Sequence, residues 1–203
     1  MNELIRAIAD IDAIRGQIAR STQFRGYGPA AHLFASGVAV AAAFIQARWM
    51  PDPASHVDAY LALWIFAAAL AIGAIGVETV ARATREHRSL ARSMLNSAFE
   101  QFVPSVAAGV LSTAVLYRCA AQCLWMLPGL WQLFFSLGAF ATCRQLPRPL
   151  FVVGIWYLST GLCVLALGQG AHALSPWLMG VPFGVGQLFV AVVLHVHQRK
   201  SHA

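Results

Sequence analysis

The chain has 203 residues, of which 59% are hydrophobic and 11% charged, and its formal net charge is +6. Soluble domains carry about 25% charged residues, so this composition excludes an ordinary soluble globular protein. The basic residues are scattered over predicted helix ends without interleaved aromatic residues, which argues against a nucleic-acid partner. We therefore expect the lipid bilayer to be the main surrounding of the chain.

Residues 3–20 form the first predicted element, an amphipathic helix. Its apolar residues recur on one helical face, whereas acidic residues interrupt the apolar core that a signal peptide would need. The apolar residues are Leu4, Ile8, Ile11 and Ile18. We predict that residues 1–28 are a cytoplasmic-side helix and linker. The helix either lies along the membrane surface or packs onto the bundle or a second copy of the chain.

Six segments of mostly apolar residues follow, each about 20 residues long and able to cross a hydrocarbon core as a helix. They are approximately 30–48, 57–81, 94–117, 122–143, 150–168 and 174–197. The sequence thus predicts an all-α membrane protein with six transmembrane helices within residues 29–198. A short cytoplasmic tail at 199–203 completes the predicted organisation.

The distribution of basic residues predicts the orientation, because short cytoplasmic loops are enriched in lysine and arginine. With the amino terminus inside, twelve of the 14 basic residues fall on the inner side, and only Arg48 and Arg118 lie outside. We therefore predict cytoplasmic amino and carboxyl termini. Attraction to anionic lipids is a further consequence of this charge.

Stripes of small and polar residues mark the faces on which membrane helices meet. Such stripes occur at helical spacing on the first three spans, and we expect them to face the bundle interior. The first comprises His32, Ser36, Ala39, Ala43 and Gln46; the second Tyr60, Trp64, Ala67, Ala71, Ala74 and Glu78; the third Ser93, Asn96, Ser97, Glu100, Pro104 and Ala107.

The last span contains the unusual segment PWLMGVPFGVGQ. Pro182 lacks a backbone donor and is expected to kink the helix, so that the carbonyl near Leu178 needs another partner. Gly180 and Gly184 form a GxxxG pair that allows close approach of another helix, and Gln187 continues the same face. The segment predicts a kinked transmembrane helix whose glycine face points inward, with Ala191 and His195 continuing that face.

Ionisable residues within membrane spans are costly and often functional. His32, Glu78 and Glu100 fall at similar depth near the predicted cytoplasmic side, and with Gln187 they form a candidate polar intramembrane site. One interpretation is a proton-coupled, solute-binding or metal-binding site. The other is structural, with Glu78 pairing with Arg82 at i, i+4 spacing and Glu100 pairing with a nearby arginine.

Motifs for enzyme chemistry are missing from the sequence. Cys119 and Cys123 are four residues apart on one predicted helix, which suits neither a disulfide nor a recognisable zinc site. We expect the cysteines to be small apolar fillers. No phosphate-binding glycine loop, nucleophile elbow or HExxH pattern occurs, so the sequence predicts a non-enzymatic protein without a cofactor or an assigned metal site.

The opening IRAIADIDAIRGQIARSTQFRGYGPAAHLFASGVAVAAAF resembles the start of a broad group of uncharacterised bacterial membrane proteins. In that group a short amphipathic helix of the form I..IR...E.ST.F precedes a first span rich in small residues, and five more spans follow. Here Arg20 stands close to the position where an acidic residue is common. The resemblance implies a polytopic inner-membrane protein and carries over no activity and no functional residue.

Two classes of function stay open. The first is a protein that binds or transports a small solute or ion in a polar cavity where His32, Glu78, Glu100 and Gln187 converge. The second is a structural or regulatory membrane subunit that holds a membrane or cytoplasmic protein partner, or a second copy of itself. In the second class the amphipathic helix and the arginine-rich loop at residues 82–92 would provide the contacts.

Overall fold

A computed structural model describes residues 28–85, 89–142 and 150–200, with side chains at most of these positions. These residues form six α-helices, and no β-strand occurs among them. The helices are α1 (Pro29–Trp49), α2 (Val57–Arg85), α3 (Ser89–Cys119), α4 (Leu127–Thr142), α5 (Phe151–Leu167) and α6 (Trp177–Lys200). Short 3-10 helices, Ala121–Met126 and Gly170–His172, precede α4 and α6.

Three predicted features fall outside the described residues. They are the amphipathic helix, most of the proline-containing turn between α4 and α5, and the last residues of the tail. The side chains of residues 82–99 are also outside the description, so the predicted pairing of Glu78 with Arg82 stays a prediction.

Five helical stretches are long and apolar enough to cross a membrane. They are Pro29–Trp49, Val57–Ala81, Glu100–Cys119, Ala121–Thr142 and Trp177–Val196. The helix Phe151–Leu167 is also apolar but shorter, with 17 residues. The described fold is therefore all-helical and compatible with an α-helical membrane protein, whereas the sixth crossing stays a prediction.

The described helices pack as a series of neighbours, and the contact between α1 and α6 is the most extensive. α1 packs against α2 and α6, and α6 also contacts α5. α5 packs along α4, and α4 also packs against α3. Although α2 and α3 are consecutive, each has its extensive contacts elsewhere, and the Tyr117 hydroxyl joins them by donating to Asp58 Oδ1 at 2.7 Å.

Glycines permit the closest approaches between these helices. A Cβ atom added at Gly161 of α5 would lie 3.0 Å from the carbonyl oxygen of Gly129 in α4. One added at Gly180 of α6 would collide with the Cβ atom of Ala43 in α1. Because lipid tails are as apolar as side chains, such backbone proximity and van der Waals contact stabilise helix association in membranes.

The inward faces predicted for α1 and α6 agree with the burial pattern. On α1, His32, Ala39, Ala43 and Gln46 are buried and Ser36 is half-buried. On α6 the buried positions include Gly180, Gly184, Gln187 and Ala191, whereas Val181, Phe189 and Val192 are exposed. The α2 stripe is buried from Tyr60 to Ala67 and half-buried toward Glu78, whereas His195 is exposed, contrary to the prediction.

The inward face predicted for α3 is wrong in its described part. Glu100, Pro104 and Ala107 are exposed. The opposite side of the helix packs on α4, where the Phe102 ring covers Gly138 and the Trp131 indole donates to Thr113 Oγ1 at 2.9 Å. Bulky aromatic side chains on α3 and α4 form this interface. A stripe of small and polar residues therefore does not mark the side of α3 that packs on α4.

Candidate polar site in the helix bundle

Hydrogen bonds between buried side chains connect α1, α6 and α5. His32 Nδ1 lies 2.8 Å from Gln187 Oε1, and Gln187 Nε2 donates to the Tyr157 hydroxyl at 3.4 Å. All three residues are buried. Because an amide oxygen can only accept, His32 Nδ1 carries the proton in this arrangement, and Nε2 is the nitrogen at which the neutral ring takes up a further proton.

Glu78 of α2 adjoins this chain. Its Oε2 accepts a hydrogen bond from the backbone N–H of Ala31 at 2.6 Å, and the carboxylate is near enough to interact electrostatically with His32. The first turn of α1 has backbone N–H groups without partners inside the helix, and no side-chain bond comes from the preceding Gly28. Glu78 therefore caps α1 from a neighbouring helix, with a negative charge where the helix dipole favours it.

Glu100 is not part of this cluster. It is exposed on α3, whose extensive contacts are with α4 and the following 3-10 helix. Within the described part of the chain, no three His, Cys, Asp or Glu residues are grouped so that they could hold a metal ion. The structure thus brings together His32, Glu78 and Gln187, and the expected convergence with Glu100 is not observed.

A second group of buried polar side chains lies at the opposite end of α1. Gln46 Nε2 donates to the carbonyl oxygen of Leu174 at 2.6 Å, and Gln46 Oε1 accepts from the Trp64 indole at 2.7 Å. These bonds tie the segment before α6 to α1 and α2. The sequence placed Gln46 and Trp64 on inward faces, but their partners depend on how the helices meet.

Side chains of three neighbouring helices bond to the backbone carbonyls around Pro182. Gln132 Nε2 of α4 donates to Leu178 O at 2.8 Å, and the Trp156 indole of α5 donates to Pro182 O at 2.9 Å. Ser36 of α1 donates to Gly184 O at 2.7 Å. Leu178 O is the carbonyl that the missing Pro182 N–H would have bonded, so Gln132 supplies the partner that the sequence required.

Gln132 is the residue of this region that the sequence interpretation missed. It is the only amide in the apolar run LPGLWQLFFSLG, and a lone glutamine in a membrane span was the signal that could have identified it. Gln132 Oε1 and Ser136 Oγ, both on α4, are buried and have no hydrogen-bond partner among the described residues. The Tyr60 hydroxyl on α2 is likewise buried and has no hydrogen-bond partner among the described residues.

The described cysteines do not form a site. Cys119 and Cys163 are exposed and Cys123 is half-buried, and all three are free thiols. The prediction that the cysteines are small apolar fillers is not tested, and Cys119 and Cys163 do not belong to the core.

The fold and the polar cluster together define a class: an all-helical protein with several apolar helices of membrane-spanning length and a hydrogen-bonded polar interior. Comparison with known proteins gives no match, since no family model fits the chain and no curated protein or solved structure is significantly similar to it. Inference about function therefore depends on the polar interior itself.

Proposed function

We propose that this chain is a non-enzymatic multi-pass membrane protein that binds or moves a small ion or solute in the polar interior between α1, α5 and α6. The hydrogen-bonded chain of His32, Gln187 and Tyr157 carries this proposal. Polar and ionisable groups within a bilayer are costly, and they commonly line ion or solute pathways. Among the described residues, His32 is the only buried histidine, and an imidazole ring can take up and release a proton, so a proton is the first ion to test.

The proposed setting is a bacterial inner membrane crossed six times, with both termini in the cytoplasm. Helix α5 has 17 residues and would rise about 25 Å, close to the thickness of a hydrocarbon core. An even number of crossings is also what the basic residues support, because both termini then lie on the side that holds most of the arginines.

A structural or regulatory subunit is the second candidate, and α3 favours it. No residue of the apolar window in Glu100–Cys119 is buried. Its exposed face includes Glu100, Pro104 and Ala107, and small and polar residues are those on which membrane helices commonly meet. In that function the interior hydrogen bonds would only hold the six helices together, and a membrane partner or a second copy would cover α3.

Proton movement in reconstituted vesicles tests the first candidate. The purified protein is placed in liposomes that contain a pH-sensitive dye. A pH gradient and a potassium diffusion potential are then imposed together across the liposome membrane. We expect faster dye response than in protein-free vesicles and a loss of this difference in His32→Gln. His195→Gln is the matched control, because His195 is exposed on α6.

Two further measurements are needed to interpret the proton flux. Circular dichroism and gel filtration establish that His32→Gln is folded and monodisperse before its proton flux is compared. Equal flux in wild-type and protein-free vesicles would contradict proton movement and favour the structural candidate. Equal loss in the His32 and His195 variants would show that the effect does not come from the buried ring.

A further inference from the structure

We propose that Gln132 and Ser136 form a binding site for a small uncharged molecule that donates hydrogen bonds. This inference rests on the proposed function in placing a ligand inside the bundle. It goes further in assigning a site on α4, separate from the His32 cluster, and in naming the chemistry of the ligand. Both side chains are fully buried, each with an oxygen atom that has no partner among the described residues.

The amide of Gln132 has a defined orientation. Its Nε2 donates to Pro128 O at 2.9 Å and to Leu178 O at 2.8 Å, so both N–H bonds are used. Exchanging the oxygen and nitrogen would place an acceptor against two carbonyl oxygens, which is unfavourable. The remaining Oε1 is therefore a buried acceptor held in place by two hydrogen bonds on the other side of the amide.

Ser136 lies one turn further along the same face of α4, since residues four apart are neighbours on a helix surface. A buried hydroxyl in a helix commonly donates to the carbonyl of the preceding turn. Thr160 does so toward Trp156 O at 2.9 Å, and Thr142 toward Gly138 O at 3.2 Å. Ser136 makes no such bond, so its hydroxyl can serve a ligand as donor or acceptor.

The helix packing around Gln132 differs between its two neighbouring helices, α5 and α6. Toward α5 the backbones touch, because a Cβ atom at Gly161 would lie 3.1 Å from Gln132 Cβ and 3.0 Å from Gly129 O. Toward α6 the helices meet only over a short stretch, which includes the bond from Gln132 to Leu178 O. Pro182, one turn further along α6, offers no N–H donor. The surroundings of Gln132 are consequently rich in carbonyl acceptors, and Pro182 adds no donor to them.

Charge excludes a cation as the preferred ligand. The acidic residues of the described chain are engaged or exposed elsewhere: Glu78 caps α1, Asp58 accepts from Tyr117, and Asp52 and Glu100 are exposed. A cation at the α4 site would face neutral oxygens in surroundings of low dielectric constant, which is costly without a paired charge. An uncharged primary amide or urea has N–H donors for both oxygens without that cost.

Three probes of one skeleton separate these chemistries. Acetamide is an uncharged donor, N,N-dimethylacetamide has no donor, and acetamidinium is a charged donor. Saturation-transfer NMR on the full chain in detergent micelles measures binding through the methyl protons of each probe. The informative quantity is the difference between wild type and Ser136→Ala, because non-specific partitioning into the micelle is equal in both.

We expect acetamide to give a Ser136-dependent signal, with apparent affinity about two- to tenfold lower in Ser136→Ala, the effect of one hydrogen bond. Ser159→Ala, which alters an exposed serine on α5, should bind like wild type. Ser136→Ala should also melt at the same or a higher temperature without probe, because an unpartnered buried hydroxyl is removed.

Three results would overturn the inference. The first is the absence of Ser136-dependent transfer to acetamide, and the second is equal transfer to N,N-dimethylacetamide. The third is a preference for acetamidinium, which would show a cation site. The binding experiment uses no ion gradient and is therefore independent of the proton-flux experiment. If acetamide binds but the vesicles show no proton flux, the proposed role of His32 is refuted and the proposed α4 site is not.

Discussion

Gln132 shows how one buried amide can connect two helices and compensate for a proline in one of them. Its nitrogen bonds to carbonyls of α4 and α6, and the α6 carbonyl is the one left without its helical donor by Pro182. In a bilayer no water replaces such a donor, and each unsatisfied group costs several kcal/mol. Pro182 in α6 and the glutamine in α4 are therefore expected to be energetically coupled.

A double-mutant cycle tests this coupling. Gln132→Leu should lower the free energy of unfolding by about 1–3 kcal/mol, because Leu178 O is left buried without a donor. In the background Pro182→Ala the cost should fall by about 1 kcal/mol, since the restored N–H can bond to Leu178 O. Reversible unfolding in mixed micelles, followed by circular dichroism, measures both values.

Gln46→Leu is the matched control for this cycle. It also removes a buried amide that donates to a carbonyl, but its partner Leu174 O precedes α6 and does not depend on Pro182. Its cost should be the same with and without Pro182→Ala, since distant sites are additive within about 0.5 kcal/mol. A cost for Gln132→Leu that is likewise unchanged would refute the coupling.

Glu78 illustrates why a carboxylate in an apolar span does not by itself identify a site. Its bond to Ala31 N satisfies the amino end of α1, a requirement of every helix. The same carboxylate is also near the buried His32 ring, so one residue both caps α1 and shapes the electrostatics of the proposed pathway. Glu100, of the same residue type and also near a span end, is exposed.

At the scale of elements, the contact between α1 and α6 depends on the glycine face of α6. A Cβ atom at Gly180 would collide with Ala43 Cβ, and one at Gly184 would lie 3.0 Å from Val40 Cγ2. Ala43 Cβ belongs to a short, rigid side chain and cannot move without the backbone, whereas Val40 can change rotamer. Gly180 is therefore expected to be the less tolerant of the two positions.

We predict that Gly180→Ala destabilises the bundle by about 1–3 kcal/mol, the usual cost of overpacking. Gly184→Leu should also disrupt it, whereas Val185→Leu on the half-buried opposite side should be tolerated. Gly37→Ala is the control, because nothing lies within 4 Å of a Cβ atom there, and alanine should stabilise α1 by up to about 1 kcal/mol. Thermal unfolding in micelles that gives equal shifts for Gly180→Ala and Gly37→Ala would contradict the assignment.

At the scale of the whole molecule, the number of membrane crossings depends on α5, which has 17 residues. If it crosses the membrane, both termini lie on the cytoplasmic side. A fluorescent protein that matures only in the cytoplasm should then be fluorescent when fused after Ala203. Alkaline phosphatase, active only outside, should be active when fused after Gly168.

Fusions with the two reporters exchanged serve as controls and should be silent. An active phosphatase after Ala203 would mean an odd number of crossings and would remove α5 from the set of spans. An inactive phosphatase after Gly168, together with fluorescence after Ala203, would mean an even number of crossings with Gly168 on the cytoplasmic side. Either result would contradict the six-span arrangement.

The sequence alone determined the helical class, the approximate bounds of the described helices and the inward faces of α1 and α6. The length of an apolar segment, the size of a residue and the presence of a backbone N–H are properties of the local sequence. The helices, their inward faces and the need of Leu178 O for a partner can therefore be deduced without knowing which helices are neighbours. Only the tertiary structure decided that Gln132 meets this need and that α3 turns Glu100 outward. Such pairings depend on how aromatic side chains and glycines of different helices fit together, and residue spacing within one helix does not contain that information.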